Sequence, residues 1–213
     1  MLVAVDVREI YARCSAGFGE RVHAVGDRWA DPTVLPGWDV RELVNHLVNE
    51  ERWTPHLFGG ATVEEIGTRF DGDLLGADPV ATFDEAAAAA LAAVQAEGAV
   101  ERTVHLSFGD RPGHEYAMQL SADHLVHTWD LARALGTDET LDPEAVAVVH
   151  EWFFSTEPLY RRIGVIGPRV EVPADAGTQA QLLGMFGRTP GARRRWTPSP
   201  GSRTRSTRRT WTP

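Results

Sequence analysis

Between Ser121 and Asp130 the chain reads Ser-Ala-Asp-His-Leu-Val-His-Thr-Trp-Asp, gathering carboxylates and imidazoles, the side chains that bind metal ions and move protons. Asp123 and His127 are four residues apart, so on an α-helix they project from one face, a turn apart. Around such a helix Tyr116, Leu120, Asp123, His124, His127, Asp130 and Leu131 fall on one side, and Met118, Ala122, Leu125 and Trp129 on the other. A helix apolar on both sides is a buried helix. A carboxylate and an imidazole inside it cost roughly several kcal/mol unless they are paired or hold a cation. The spacing therefore asks for a compensating partner or a metal ion.

The elements that must position these residues read as helices. Ile10, Cys14, Phe18, Val22, Val25 and Trp29 recur every three or four residues and predict a long first helix. Pro32 and Pro36-Gly37 break the chain, and Asp39-Val-Arg-Glu42 has the form of a capping box opening a second helix. Val40, Leu43, Val44, Leu47 and Val48 are the core stripe of that helix, with His46 off the stripe beside Glu50 and Trp53. A third helix opens at Asp78-Pro79 and runs through the alanine block to Gly98. The helix carrying Asp123 and His127 ends at Gly136, and a fifth starts at Asp142-Pro143 and carries Val146, Val149, Trp152 and Phe153. Thr103–Phe108 alternates like a short strand and Gly109–Gly113 reads as the turn after it. The fold class expected is mainly all-α, a helical bundle with minor β decoration.

Composition narrows the function classes. The 213 residues suffice for one domain with its own core. A lone cysteine, Cys14, excludes a disulfide framework and fits a reducing, cytoplasmic setting. No secretion signal and no apolar run of membrane-spanning length is seen, so no membrane partner is expected. Every one of the 21 basic residues is arginine. Residues 1–187 carry 13 of them and all 30 acids, whereas residues 188–213 carry eight arginines and no acid. The acidic body does not attract nucleic acid. The Arg/Pro/Thr-rich segment 188–213 is expected to be a disordered or non-native tail, leaving residues 1–187 as the bundle domain.

Leu35-Pro-Gly-Trp38, Asn45-His-Leu-Val48, Asp71-Gly-Asp-Leu-Leu75, Phe108-Gly-Asp110, Tyr116-Ala-Met-Gln119 and His127-Thr-Trp-Asp-Leu-Ala132 together resemble the actinobacterial proteins similar to the N-terminal domain of mycothiol-dependent maleylpyruvate isomerase. These lie in the DinB-like superfamily of metal-binding four-helix bundles. The resemblance runs from about residue 7 to 190. It implies a divalent metal, zinc or alternatively nickel, with the first ligand at His46, the carboxylate at Asp123 and the last ligand at His127. The isomerase has glutamate where this chain has Asp123, one methylene shorter, which brings the metal closer to this helix or reaches it through water. Two imidazoles and a carboxylate form a three-ligand zinc site with an open fourth position, where a thiol binds as thiolate. The implied activity is a metal-dependent isomerase or S-transferase using mycothiol or a similar thiol with an electrophilic substrate. The alternative is a non-catalytic metal-binding bundle acting as a ligand-sensing, stress-response or interaction protein. Of the neighbouring residues, Asp130 is placed either to accept the other ring proton of His127 or to hydrogen-bond within the bundle near Trp129, His124 to lie behind the ligands or to line the pocket, and Glu50 to be solvated or to lie behind the ligands. Arg133 or Arg52 is the local arginine for an anionic substrate. Trp38, Trp53, Trp129 and Trp152 are read as packing residues, and His23, His56, His105, His114 and His150 as structural or surface groups.

Overall fold

The computed structural model describes residues 5–191 apart from 165. Of the segment 188–213, residues 192–213 lie outside the described residues.

Helix α1 spans Val7–His23 and opens on Asp6, whose carboxylate accepts from the Arg8 amide. Helix α2, Val40–Phe58, carries the capping box foreseen at Asp39 and Glu42, each side chain bonding the other residue's backbone N–H. A single turn, α3 (Val63–Ile66), precedes α4 (Pro79–Gln95), which has proline at its first position behind an Asp78 cap. Strands β1 (Thr103–Leu106) and β2 (Gly109–Pro112) form an antiparallel pair, with Thr103 opposite Pro112 and Leu106 opposite Gly109. Helix α5, Gly113–Leu135, ends on Gly136 in the left-handed conformation at φ 62°. Helices α6 (Pro143–Arg162) and α7 (Thr178–Met185) complete the described chain. No helix among the described residues is long and apolar enough to cross a membrane.

The bundle is built from α1, α2, α4 and α5, each packed against two of the others in the ring α1–α5–α2–α4. This is the DinB-like architecture, with α6 laid against α5 and α7 against α6. Its interior is apolar at both ends. Phe18, Val22, Leu43, Leu47, Phe83 and Leu131 fill one cluster, and Ile10, Leu57, Val94, Tyr116, Leu125 and Trp129 belong to the other. Each such side chain contributes about 1.5–3 kcal/mol on burial, which offsets the polar groups that α5 carries into the same interior. Eighteen of the residues of α5 are buried, as expected of a helix apolar on both sides.

Three boundaries differ from the periodicity. The first helix stops at His23 rather than reaching Trp29, because Gly26 adopts φ 62°; Val25 is buried from the turn that follows, which preserves the apolar spacing without the helix. Residues 109–112 are a second strand rather than a turn. Their side chains are mostly exposed, so pairing is set by the backbone ladder and by the cross-strand contact of His105 Nδ1 with Asp110 Oδ1 at 2.8 Å, not by apolar alternation. The short α7 gives no period long enough to read, although its Leu182, Leu183 and Met185 are all buried.

Gly113 fixes how the hairpin feeds α5. A Cβ there would lie 2.2 Å from the Ala99 carbonyl oxygen, and the Gly113 and His114 amides donate back to the Arg102 and Val100 carbonyls at 2.7 Å. Only glycine permits this approach, which anchors the N-terminus of the helix bearing the acidic and imidazole side chains.

Candidate metal centre

Two elements bring the chemistry together. The loop before α2 is held by a bridge between Pro32 and Asp39 and by the Thr33 hydroxyl donating to the Trp38 carbonyl at 2.9 Å, which sets the Trp38 indole at the helix mouth. Two turns into α2, His46 faces α5 across the bundle. Helices α2 and α5 run antiparallel there: His46 meets Asp123, Glu51 meets His124 and Thr54 meets Tyr116.

His46 Nε2 lies 3.1 Å from Asp123 Oδ2, and His127 Nε2 lies 3.4 Å from Asp123 Oδ1. One donor atom from each of the three residues falls within 4.8 Å of the others. The imidazole rings are 5.2 Å apart and nearly perpendicular, at 79°. The Trp38 indole stacks on His127 (6.4 Å, 16°) and meets His46 edgewise at 5.3 Å, so one aromatic residue limits the rotation of both rings. Despite the shorter side chain, Asp123 reaches both histidines directly.

Behind His127 stands a buried chain of polar contacts. Its Nδ1–H donates to Asp130 Oδ2 at 2.9 Å, which leaves Nε2 to face Asp123. Asp130 is fully buried and also receives the Arg188 Nε–H at 3.1 Å, while Arg188 donates to the Phe186 carbonyl at 2.7 Å. Burial opposes charge at all these groups, yet the pairings win. Asp123 stays well below the usual carboxylate range because of the two histidines. The Arg188 guanidinium and His127 hold Asp130 below that range too. With Asp123 and Asp130 on either side, His127 is pushed up to about 9.

The three donors open on a cavity of about 300 Å³. Trp38, Trp152, Phe153, Tyr160 and Phe186 give it aromatic walls, and Gln119 and Arg188 are polar groups lining it beside the cluster. The donor set fits a divalent ion: two imidazole nitrogens whose Nε2 atoms share one carboxylate, with the tautomer of one ring fixed from behind.

The residues expected at the site are therefore together: His46, Asp123 and His127 converge, and Asp130 accepts the His127 ring proton. Other readings need correction. His124 does not line the pocket; being about 100° around the helix from Asp123, it points at α1 and α2, where it bonds Glu51 Oε1 at 3.0 Å and the Leu120 carbonyl at 2.8 Å and meets Tyr11 edge-on. Glu50 is not solvated but fully buried, and neither carboxyl oxygen has a hydrogen-bond partner among the described residues. Trp38 and Trp152 are cavity walls as well as packing residues. Neither Arg133 nor Arg52 lines the cavity: Arg133 lies over the Trp129 ring at 4.8 Å and pairs with Glu139. The cavity's arginine is Arg188, hidden in a stretch whose composition reads as tail. The apolar Leu182–Phe186 segment just before it was the available signal that this part of the chain docks.

The model of the mycothiol maleylpyruvate isomerase N-terminal domain matches residues 11–132, a span that includes His46, Asp123, His127 and Asp130 but not the wall from Trp152 to Arg188. Among curated proteins, the chain is 31% identical over 151 residues to the uncharacterized protein Rv0738 of Mycobacterium tuberculosis (strain ATCC 25618 / H37Rv), covering 69% of this chain and 71% of that protein. It is 35% identical over 75 residues to the uncharacterized protein Rv0036c of the same strain, covering 35% of this chain and 28% of that one. No solved structure matches it. With its family motifs carried on a DinB-like bundle, the chain belongs to the mycothiol maleylpyruvate isomerase N-terminal domain family.

Proposed function

We propose that this protein is a metal-dependent, thiol-using enzyme of the cytoplasm, an isomerase or S-transferase whose co-substrate is mycothiol or a similar low-molecular-weight thiol. The observation that carries the reading is the convergence of His46, Asp123 and His127 donor atoms within 4.8 Å at the edge of an aromatic-walled cavity. His46 Nε2, an Asp123 carboxylate oxygen and His127 Nε2 are the groups that would hold a divalent ion, zinc first and nickel second. When bound, that ion supplies a Lewis acid with an open position at which a thiol is favoured as thiolate, the reactive nucleophile.

The rest is done by the chain. Asp130 keeps the His127 ring proton on Nδ1, and Arg188 keeps Asp130 charged and in place. Trp38 restrains both rings. The aromatic walls exclude water from one side of the cluster, which strengthens the polar interactions made there. Their area suits the carbon skeleton of a small electrophile.

Calorimetry tests this reading. Zinc-loaded protein is expected to bind N-acetylcysteine near neutral pH with release of a proton, seen as a heat that depends on the ionisation enthalpy of the buffer, and His127→Ala is expected to bind none. Absence of thiol binding, together with absence of turnover with mycothiol and electrophilic acceptors, would overturn the enzyme in favour of a non-catalytic metal-binding bundle.

A further inference from the structure

The three donors of the metal centre straddle a seam. Within the ring of helices α5 packs chiefly on α1, and α2 chiefly on α4. Asp123 and His127 belong to the first pair and His46 to the second, so the cluster forms only when the two pairs dock in one register. Apolar burial is non-directional and sets that register loosely. The rise of one helical residue, about 1.5 Å, is half of the 3.1 Å between His46 Nε2 and Asp123 Oδ2, so a small slip undoes the cluster.

One buried bond outside the cluster crosses from α2 to α5. His124 follows Asp123 in the chain, and its Nε2 meets Glu51 Oε1 at 3.0 Å with both side chains fully buried. The ring is pinned from two further sides. Its Nδ1–H donates to the Leu120 carbonyl of its own helix at 2.8 Å, and Tyr11 and Phe18 of α1 meet it edge-on at 5.5 and 6.1 Å. His124 Nε2 is therefore a fixed point on the α1 and α5 pair, one residue from a ligand, and Glu51 ties α2 to it. Other links across the seams are weaker. The Thr54 and Tyr116 hydroxyls are 3.5 Å apart, and the contact of His23 with Asp84 between α1 and α4 joins side chains 55% and 49% exposed.

Stability does not account for the buried pair. Apolar side chains of similar volume in place of a buried ionisable pair are often neutral or stabilising, and Glu51 Oε2 has no hydrogen-bond partner among the described residues. What the pair supplies that two apolar side chains cannot is direction, the property by which a buried polar group fixes the register of packed helices.

We propose that Glu51 and His124 are positioning residues of the metal centre: their bond sets the register of α2 on α5, so that His46 meets a divalent ion already aligned with Asp123 and His127. This rests on the metal-centre reading above and assigns a role to two residues that are not themselves ligands.

The test uses the full chain and the variant Glu51→Met/His124→Leu. With Nδ1 committed to Leu120, one proton lies between ring and carboxyl, so the pair is neutral overall and its removal leaves the charge beside the cluster unchanged. Three quantities are measured: the urea midpoint of the metal-free protein, zinc affinity against a competing chelator, and the visible d–d absorption of the cobalt(II) form, which reports the arrangement of the ligands. The double variant is expected to unfold at a midpoint no lower than wild type. It is expected to bind zinc about ten-fold more weakly, the lower end of what residues behind metal ligands contribute, with a shifted cobalt band. Glu51→Gln, whose amide can donate to His124 Nε2, is expected to keep the wild-type affinity and band. Glu51→Met alone carries the same comparison should the double variant not fold. A folded apolar variant with wild-type zinc affinity and cobalt band overturns the positioning role, as does Glu51→Gln behaving like the apolar variant. Wild type that binds neither zinc nor cobalt overturns the metal centre and the positioning role with it.

Discussion

Arg188→Leu is the substitution whose effect follows most directly from the structure. The guanidinium pairs with an Asp130 carboxylate that is fully buried, while the arginine side chain is itself 17% exposed. Removing it strands a buried negative charge whose remaining side-chain partner is the His127 ring N–H. Breaking a buried pair from one side costs about 3–5 kcal/mol. The residual histidine contact and the partial exposure of Arg188 put the expectation at the lower end, about 3 kcal/mol, or a fall in Tm of roughly 6–12 °C for a domain of this size. Urea unfolding at pH 7 measures it as a lower midpoint at unchanged slope. Because Asp130 orients His127, zinc affinity is expected to fall about 10–100-fold in the same variant. The double variant Asp130→Asn/Arg188→Leu should lose less than the sum of the two single variants, since it strands neither charge. A loss below about 1 kcal/mol, the range of an exposed ion pair, would refute the claim that Arg188 is an integral part of the site.

Gly113→Ala should be destabilising by about 3 kcal/mol or more in thermal unfolding, because the added methyl meets the Ala99 carbonyl at 2.2 Å, whereas Gly17→Ala, with nothing within 4 Å, should gain about 0.5–1 kcal/mol. Asp142 caps α6 through the Glu144 and Ala145 amides, at 3.0 and 2.9 Å, and pairs with Arg13, so Asp142→Ala should cost about 1–2 kcal/mol. Burial alone would raise the Asp142 carboxyl, but those amides and Arg13 hold it below the usual range. Its stabilisation is therefore present above the unfolded value of about 3.9 and is lost as pH falls through the lower folded value; denaturant unfolding between neutral and acid pH should show a shallower dependence for Asp142→Asn.

How far the sequence discloses the site depends on which interactions are local. The i, i+4 spacing of Asp123 and His127 and the i, i+3 spacing to Asp130 are fixed by helix geometry, so their shared face was legible at once. His46 was not: it lies 77 positions from Asp123, and only resemblance to a family pointed to it before the fold closed the gap. His124 misled because a helical wheel cannot say where one face ends, and 100° of rotation separates a cavity from a core. Glu50 lay one turn from His46 on the expected side, but nothing local indicates that a glutamate is wholly buried without a partner. The aromatic wall was the least legible part. Trp152, Tyr160 and Phe186 come from segments joined to the bundle by tertiary packing, and Arg188 is masked by the basic composition of the residues after it. The hairpin partner Gly109–Pro112 escaped for a related reason, since its exposed side chains carry no alternation and its pairing is a property of backbone hydrogen bonds.

The central claim is that His46, Asp123 and His127 together hold one divalent ion. Elemental analysis and zinc titration of the purified chain, set beside His46→Ala and His127→Ala, test it most directly. One ion per chain is expected in the wild type and none held against a competing chelator in either variant, because two remaining protein ligands do not retain zinc. Wild-type protein that binds no divalent ion, or variants that bind it as tightly as the wild type, would contradict the account.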